Sequence, residues 1–429
     1  MEKPLTGTMR SDGKPLTLKE YEETGGYGAL MTALRSMTPK EVQEAVTAAR
    51  LRGRGGAGFV TGLKWSFVPL GDKAPHPKFL VANADEMEPM AFKDRLLMER
   101  NPHQLIEGAI ISSYAIEADT AYIFLRWEYG RAGANLAAAL AEAYAAGYLG
   151  RAIAGSRFGL DIHLHTSAGR YICGEETALL NALEGKRAIP RAKPPFPALC
   201  GLWGKPTVVN NVETLANVPH IVRNGTDWYK RLSLTEDGGT KIYTVAGRVK
   251  RPGFWELPMG TTIRELIEEH AGGMKEGYTA ASVIPGGGST EFVLPEHFDT
   301  PMAFDVMEKQ AGSRLGTGTM IVLDQTTCPV GAVHNLERFF ARESCGWCTP
   351  CRDGLPWISR LLSDIEEGRG RREDLDVLEE HTWLLKMHHT YCALAPGAVE
   401  PLQSALKFFR SAFERHIEEK ACPYKQRST

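Results

Sequence analysis

No stretch of the 429-residue chain offers about 18 uninterrupted apolar residues, the length a membrane-spanning helix requires. Ala134–Leu149 comes nearest, but it contains Glu142 and reads as an alanine-rich soluble helix. The opening MEKPLTGTMRSDGKPLTLKEY lacks an apolar core, so no secretory leader is expected. Any membrane attachment must then run through other proteins. The chain also has no excess of one charge: 50 basic side chains face 52 acidic ones, which gives no argument for nucleic acid or an anionic surface as a general partner. Internal repeats and low-complexity tracts are missing. Cysteine is scarce at eight, with one tight cluster, which suits a metal site in a reducing compartment better than a disulfide framework. A cytoplasmic protein is the default expectation.

What is present is globular: 43% hydrophobic and 24% charged residues, in a chain long enough for two to four domains. Thr38-Pro39-Lys40-Glu41 supplies a capping box with proline at the first helical position, and predicts a helix to about Leu51. The glycine-rich segment Gly53–Gly58 follows. Strand-like and helix-like stretches then alternate. Lys78–Asn83, Ala121–Leu125 and Leu160–Leu164 read as strands; Pro102–Ile116, Gly130–Ala146 and a run from about Glu176 read as helices. That alternation predicts a parallel α/β sheet with crossover helices. From Lys241 the texture changes to that of a small α+β module of about 80–90 residues. After about Thr326 the pattern is helical, with amphipathic segments at Arg371–His381 and Pro401–Lys420.

Cys345, Cys348 and Cys351 stand at i, i+3 and i+6, and Cys392 lies further on. Three such thiolates can each ligate a different iron of a cubane, and a distant fourth can close the coordination, so a [4Fe–4S] cluster fits best. Structural zinc more often uses two separated two-cysteine knuckles and fits less well; unligated buried thiols would need chance clustering. Cys173, Cys200, Cys328 and Cys422 are singles and read as buried small hydrophobes.

Gly53-Arg54-Gly55-Gly56-Ala57-Gly58 has the letters of a dinucleotide fingerprint, but a capped helix rather than a strand precedes it. The plain alternative is a flexible surface loop. Glycines let a backbone approach a flat or phosphorylated ligand, Arg54 and Lys64 add positive charge, and Phe59, Trp65 and Phe67 offer aromatic faces. Asp85, Glu86 and Glu88 follow one strand, and Glu175-Glu176 follow Cys173-Gly174. Acids facing a nucleotide can accept from ribose hydroxyls and repel an extra ribose phosphate. The alternatives are a solvated turn, a helix N-terminus where acids are favoured, or a carboxylate metal site without histidine.

Together these residues closely resemble one family, the flavin-bearing, NADH-oxidising component of bacterial respiratory complex I (the chain-F type). The matching stretches are LRGRGGAGF (Leu51–Phe59), TGLKWSF (Thr61–Phe67), NADEMEP (Asn83–Pro89), FKDR (Phe92–Arg95), YICGEETAL (Tyr171–Leu179), KPPFP (Lys193–Pro197), GLWGKPT (Gly201–Thr207), NNVETL (Asn210–Leu215) and ESCGWCTPCRDG (Glu343–Gly354). The resemblance implies an α/β fold: a Rossmann-like FMN/NADH-binding domain at 66–235 behind an N-terminal helical and glycine-loop segment at 1–65. A ubiquitin-like β-grasp (SLBB-like) domain would occupy 236–325, and a helical [4Fe–4S] domain 326–429. Carried over by motif, FMN would touch Gly53, Gly55, Gly56, Lys64, Asn83, Asp85, Glu175 and Asn211. NADH would touch Phe59, Phe67, Glu88, Glu176, Lys193 and Phe196, and Cys345, Cys348, Cys351 and Cys392 would hold the cluster.

The implied activity is NADH oxidation: hydride to non-covalent FMN, then single electrons to the cluster, feeding a respiratory NADH:quinone oxidoreductase. No general acid or base is assigned. Partners would be peripheral-arm subunits of complex I, notably the [2Fe–2S] chain-E type and the multi-cluster chain-G type, with the chain held at the inner face of the cell membrane through them. Two alternatives use the same residues: the diaphorase component of an NAD-linked hydrogenase or formate dehydrogenase, and a non-catalytic iron–sulfur scaffold with a blocked flavin pocket. Met90, Trp127 and Ser167 depart from the pattern, each standing where the family usually has glycine. A large side chain there can fill a ligand's space or force an unfavourable φ.

Overall fold

The computed structural model describes residues 2–425. The capping box at Thr38 forms as the sequence requires: its hydroxyl accepts from the Glu41 N–H, Glu41 reaches back to the Thr38 N–H, and the helix Pro39–Ala48 follows. It stops three residues short of the expected end because Arg50 turns into the left-handed region at φ 54°.

Four parallel strands form the first sheet: β1 (Phe79–Ala84), β2 (Thr120–Leu125), β3 (Asp161–Thr166) and β4 (Thr207–Asn211), in the order β3-β2-β1-β4. β1 is nearly continuous in its burial, as a strand covered on both faces should be. Helices Lys93–Arg100 and Pro102–Ile116 carry the chain from β1 to β2, and Gly130–Ala145 from β2 to β3. β4 escapes a periodicity reading, since its five residues Thr-Val-Val-Asn-Asn are too short and half polar. It determines the site nonetheless. After β1 the chain builds outward through β2 and β3, then returns to add β4 on the other side of β1. The strand order therefore reverses between β1 and β4, and a crevice opens at their carboxyl ends.

The helix Pro102–Ile116 packs against Val212–Asn224, which follows β4. The approach is so close that a Cβ on Gly108 would lie 2.0 Å from the Leu215 carbonyl oxygen. Leu105, Ile106, Ala109 and Ile110 on the first helix and Leu215, Ala216 and Val218 on the second are buried in one apolar core with the sheet.

A second, mixed sheet contains β5 (Thr240–Gly247), β6 (Gly253–Pro258), β7 (Ala280–Ile284) and β8 (Thr319–Asp324), ordered β6-β5-β8-β7; β5 runs parallel to β8 and β7 antiparallel to it. Thr262 caps the short helix that follows β6 through a second capping box. Five helices then close the described chain: Pro329–Glu343, Thr349–Glu366, Arg372–Leu384, Leu394–Phe408 and Arg410–Glu419. By its contacts the chain divides into two compact units. One comprises Met1–Met87, Ala91–Tyr243 and Phe254–Thr261; the other comprises Glu88–Met90, Thr244–Gly253 and Thr262–Thr429. Among the described residues no helix is long and apolar enough to cross a membrane.

Candidate flavin and iron–sulfur sites

The glycine segment is an ordered loop. Arg52 and Val60 form an antiparallel bridge across its neck, the Gly53 N–H donates to the Phe59 carbonyl (2.8 Å), and the Thr61 N–H donates to the Leu51 carbonyl (2.9 Å). Gly56 (φ 114°) and Gly58 (φ 64°) take conformations that side chains resist. A Cβ on Gly55 would stand 3.2 Å from the Asn211 Cβ, so the loop lies against the end of β4.

Arg54 departs from expectation. Its side chain is fully buried, and its guanidinium donates to the carbonyls of Gly238 (2.8 Å), Thr240 (3.0 Å) and Arg52 (3.1 Å). It clamps the loop from beneath instead of adding charge above it.

Asn83 and Asn211 are register partners at the carboxyl ends of β1 and β4, at the reversal of strand order. Asn83 accepts from the Asp85 N–H (3.1 Å). Asn211 caps the helix Val212–Asn224 and donates from Nδ2 to Asp94 (2.6 Å). Asp85 is buried. Its Oδ1 accepts from the Ser167 hydroxyl (3.1 Å), while its Oδ2 has no partner, and burial pushes its carboxyl up to about 7. An unsatisfied buried carboxylate oxygen suits a ligand rich in hydroxyl groups that can donate to it.

Glu175 is the N-cap of the helix Glu176–Leu183, accepting from the N–H groups of Thr177 and Ala178 (2.9 and 2.8 Å). The helix-terminus reading of this acid is thus realised, yet its other oxygen faces Lys193 Nζ at 2.9 Å. Glu176 lies between Lys64 (2.5 Å) and Lys193 (3.4 Å). Burial raises its carboxyl, but the two ammonium groups outweigh that and hold it below the ordinary range. Lys64 also donates to the Val209 carbonyl of β4 (2.9 Å). Phe59 and Phe67 are about half exposed with rings 6.4 Å apart, and Phe196 is exposed as well. The loop, both asparagines, Asp85, Lys64, Glu175, Glu176 and Lys193 are linked through these contacts and elements. Glu88 has its own setting, its Oε1 accepting from the Ser289 N–H (3.0 Å).

The three departures resolve physically. Ser167 supplies the hydroxyl that Asp85 accepts from. Trp127 is 58% exposed and lies over Gly169, where a Cβ would meet its ring at 2.5 Å. Met90 is also exposed and sits at φ 69°, the conformation for which glycine is suited.

A buried charge network behind the site has no assigned role in the motif reading. Lys93 Nζ lies 2.8 Å from Asp94 and 3.0 Å from Glu213, and Lys241 Nζ lies 3.3 Å from the same Glu213 oxygen. Lys93 also donates to Asn211 Oδ1 (3.2 Å). Burial pulls Lys241 down to about 8 against the attraction of Glu213. The adjacent Lys93-Asp94 in FKDR, opening a helix beyond an acidic strand end, is the sequence signal for this support.

In the second unit, Cys348 is the N-cap of Thr349–Glu366 and Cys351 sits in its first turn. Cys392 comes from the separate segment before Leu394. The Cys351 thiol is pushed up to about 12 by burial, with the Ser344 hydroxyl (3.1 Å) opposing and Cys348, Cys392 and Cys345 adding repulsion. Trp347 and Tyr391, neighbours of Cys348 and Cys392, meet edge to face at 6.3 Å. Cys351 thus has the thiols of Cys345, Cys348 and Cys392 as electrostatic neighbours, drawn from two separate segments of the chain. The expectation for the other cysteines holds for Cys173, which is buried; Cys200 is exposed, and Cys328 and Cys422 have other company, described below.

A parallel sheet with a glycine-lined crevice at its reversal point, together with a four-cysteine nest, defines an iron–sulfur flavoprotein oxidoreductase. Residues 46–220 match the Nuo51 FMN-binding domain, residues 242–293 the SLBB domain, and residues 331–416 the NADH-ubiquinone oxidoreductase-F iron-sulfur binding region. The chain is 54% identical over 416 residues to the F-type subunit of NADH-quinone oxidoreductase from Escherichia coli (strain K12), covering 97% of this chain and 93% of that protein. It is 52% identical to the F-type subunit numbered 2 of NADH-quinone oxidoreductase from Rhizobium meliloti (strain 1021), covering 95% and 96%. A solved NAD+-reducing [NiFe]-hydrogenase in the air-oxidized state is similar over 95% of this chain and 67% of its own, at 36% identity and a TM-score of 0.80. The chain belongs to the family of F-type NADH-quinone oxidoreductase subunits, the flavoproteins that carry FMN and a [4Fe–4S] cluster.

Proposed function

We propose that the chain oxidises NADH as the flavoprotein component of a respiratory NADH:quinone oxidoreductase, with FMN held at the β1/β4 crevice. The observation that carries this is the pairing of Asn83 with Asn211 at that crevice, with Gly55 against Asn211 and the unpartnered Asp85 oxygen alongside. Bound there, FMN supplies a two-electron acceptor that releases electrons singly to the cluster. Gly53, Gly55 and Gly56 present backbone to it, and Lys64, Asn83, Asp85, Glu175 and Asn211 supply polar contacts. Phe59, Phe67 and Phe196 offer faces for the nicotinamide nucleotide, while Glu176 and Lys193 orient its ribose hydroxyls. Glu88 joins the NADH set on its motif alone. Cys345, Cys348, Cys351 and Cys392 hold the cluster. Residues 1–65, 66–235, 236–325 and 326–429 act as glycine-loop, flavin, β-grasp and cluster segments.

Membership of this family implies complex I subunits as partners. The finer assignment is to a [2Fe–2S] chain-E type and a multi-cluster chain-G type neighbour, which would keep the chain on the cytoplasmic face of the membrane. Anaerobic titration of the purified protein with NADH tests the proposal. Flavin absorbance bleaches and a reduced-cluster paramagnetic signal grows. Iron–sulfur absorbance without flavin would instead identify a scaffold.

A further inference from the structure

Cys328 and Cys422 are 94 residues apart in sequence, a separation that gives no hint of a shared site. Folding brings them together with Glu366 and His416, the four ligand atoms lying within 4.8 Å of one another. Cys328 Sγ is 3.1 Å from Glu366 Oε1 and 3.4 Å from His416 Nε2, and those two atoms are 3.3 Å apart. A tetrahedral ion bound at ~2.0–2.3 Å has ligand–ligand edges of roughly 3.3–3.8 Å. Three of the four ligands are already close to that spacing.

The surroundings are those of a built site. His416 is fully buried, and Glu366 and Cys422 are nearly so. His416 Nδ1–H donates to the Ala412 carbonyl (2.6 Å), which turns the Nε2 lone pair toward the group. Lys425 holds Glu366 by Oε2 (3.0 Å) and leaves Oε1 facing the cysteine. The Gly331 N–H donates to Cys328 Sγ (3.3 Å), and a Cβ on Gly331 would come within 3.0 Å of Glu366 Oε1. Two thiolates and a carboxylate on a dication leave one negative charge, which Lys425 offsets.

We propose that Cys328, Glu366, His416 and Cys422 form a structural site for a divalent transition metal, with zinc the best match. Two sulfurs, one imidazole and one carboxylate fill a closed tetrahedron and suit zinc better than magnesium or calcium. Binding displaces the two thiol protons to solvent and involves no redox step. The site is distinct from the cluster nest. Cys351 lies in the first turn of the helix Thr349–Glu366 and Glu366 is its last residue, so about 22 Å of helix separates them. Its effect is to tie together the start of Pro329–Glu343, the end of Thr349–Glu366, the helix Arg410–Glu419 and the segment beyond it.

The test uses the full chain with its cluster intact, judged by iron and sulfide content, incubated anaerobically with one equivalent of zinc and desalted. About one zinc per chain is retained, and X-ray absorption at the zinc edge finds two sulfurs near ~2.3 Å and two nitrogen or oxygen neighbours near ~2.0–2.1 Å. Cys422→Ser lowers zinc retention at least tenfold at unchanged iron content. Should that variant not fold, Glu366→Gln, which preserves shape, must lower it in the same way. Failure to retain zinc, a four-sulfur zinc spectrum, retention unchanged in the folded variant, or a Cys328–Cys422 disulfide in the anaerobic protein would each overturn the proposal.

Discussion

Glu176 keeps its negative charge although it is mostly buried, because Lys64 and Lys193 both lean on it. A fixed carboxylate there repels a ribose phosphate, so Glu176→Gln is expected to lower the NADH-to-NADPH ratio of kcat/KM about tenfold, or ~1.4 kcal/mol. An unchanged ratio would remove Glu176 from the specificity argument. Asp85 poses the opposite problem. Its carboxyl is raised to about 7 from an ordinary 3.8, so the folded state keeps a proton that the unfolded chain sheds. Stability of the flavin-stripped protein should therefore fall as pH rises from about 4 to about 7, by at most ~4 kcal/mol. Asp85→Asn should flatten that slope in thermal melts taken across the interval. Met90 sits in the left-handed region at a cost of roughly 1–2 kcal/mol, while glycine loses about 0.5–1 kcal/mol to its freer unfolded chain. Met90→Gly should thus stabilise by ~0.5–1 kcal/mol, read as a small rise in Tm.

Among elements, the tightest contact is the crossing of Pro102–Ile116 and Val212–Asn224. Gly108→Ala would drive a methyl into the Leu215 carbonyl and force the helices apart, at a cost of at least ~1–3 kcal/mol, visible as a lowered denaturation midpoint. A wild-type midpoint would mean the two helices can separate freely. The helix Pro102–Ile116 was legible to its last residue, because Asn101 caps it, Pro102 opens it and fifteen residues of pattern follow. β4 was not, since five residues carry too little periodicity to reveal a strand. The site divides in the same way. Cysteine spacing and the glycine loop announce themselves locally, whereas the register of Asn83 with Asn211 is created by topology alone. Arg54 shows the limit of composition: its positive charge is plain in the sequence, but its direction depends on the carbonyls of Gly238 and Thr240, some 185 residues away.

At the scale of the whole molecule, activity requires the flavin and the cluster together. Cys392→Ala removes the one proposed cluster ligand supplied by a separate segment, and should abolish the reduced-cluster paramagnetic signal while NADH still bleaches the flavin. Retention of the signal at full intensity would mean that another group closes the coordination.

Glu213 has a further consequence for anyone who wishes to take the protein apart. Its carboxylate is shared by Lys93, which comes before it in the chain, and Lys241, which comes well after. A fragment ended at residue 220, where the FMN-binding match stops, would keep the acid and one lysine and lose the other, along with the Ile242 N–H that also donates to it (2.9 Å). Autonomous folding of the flavin half should therefore depend on carrying a strand that sequence comparison assigns to its neighbour.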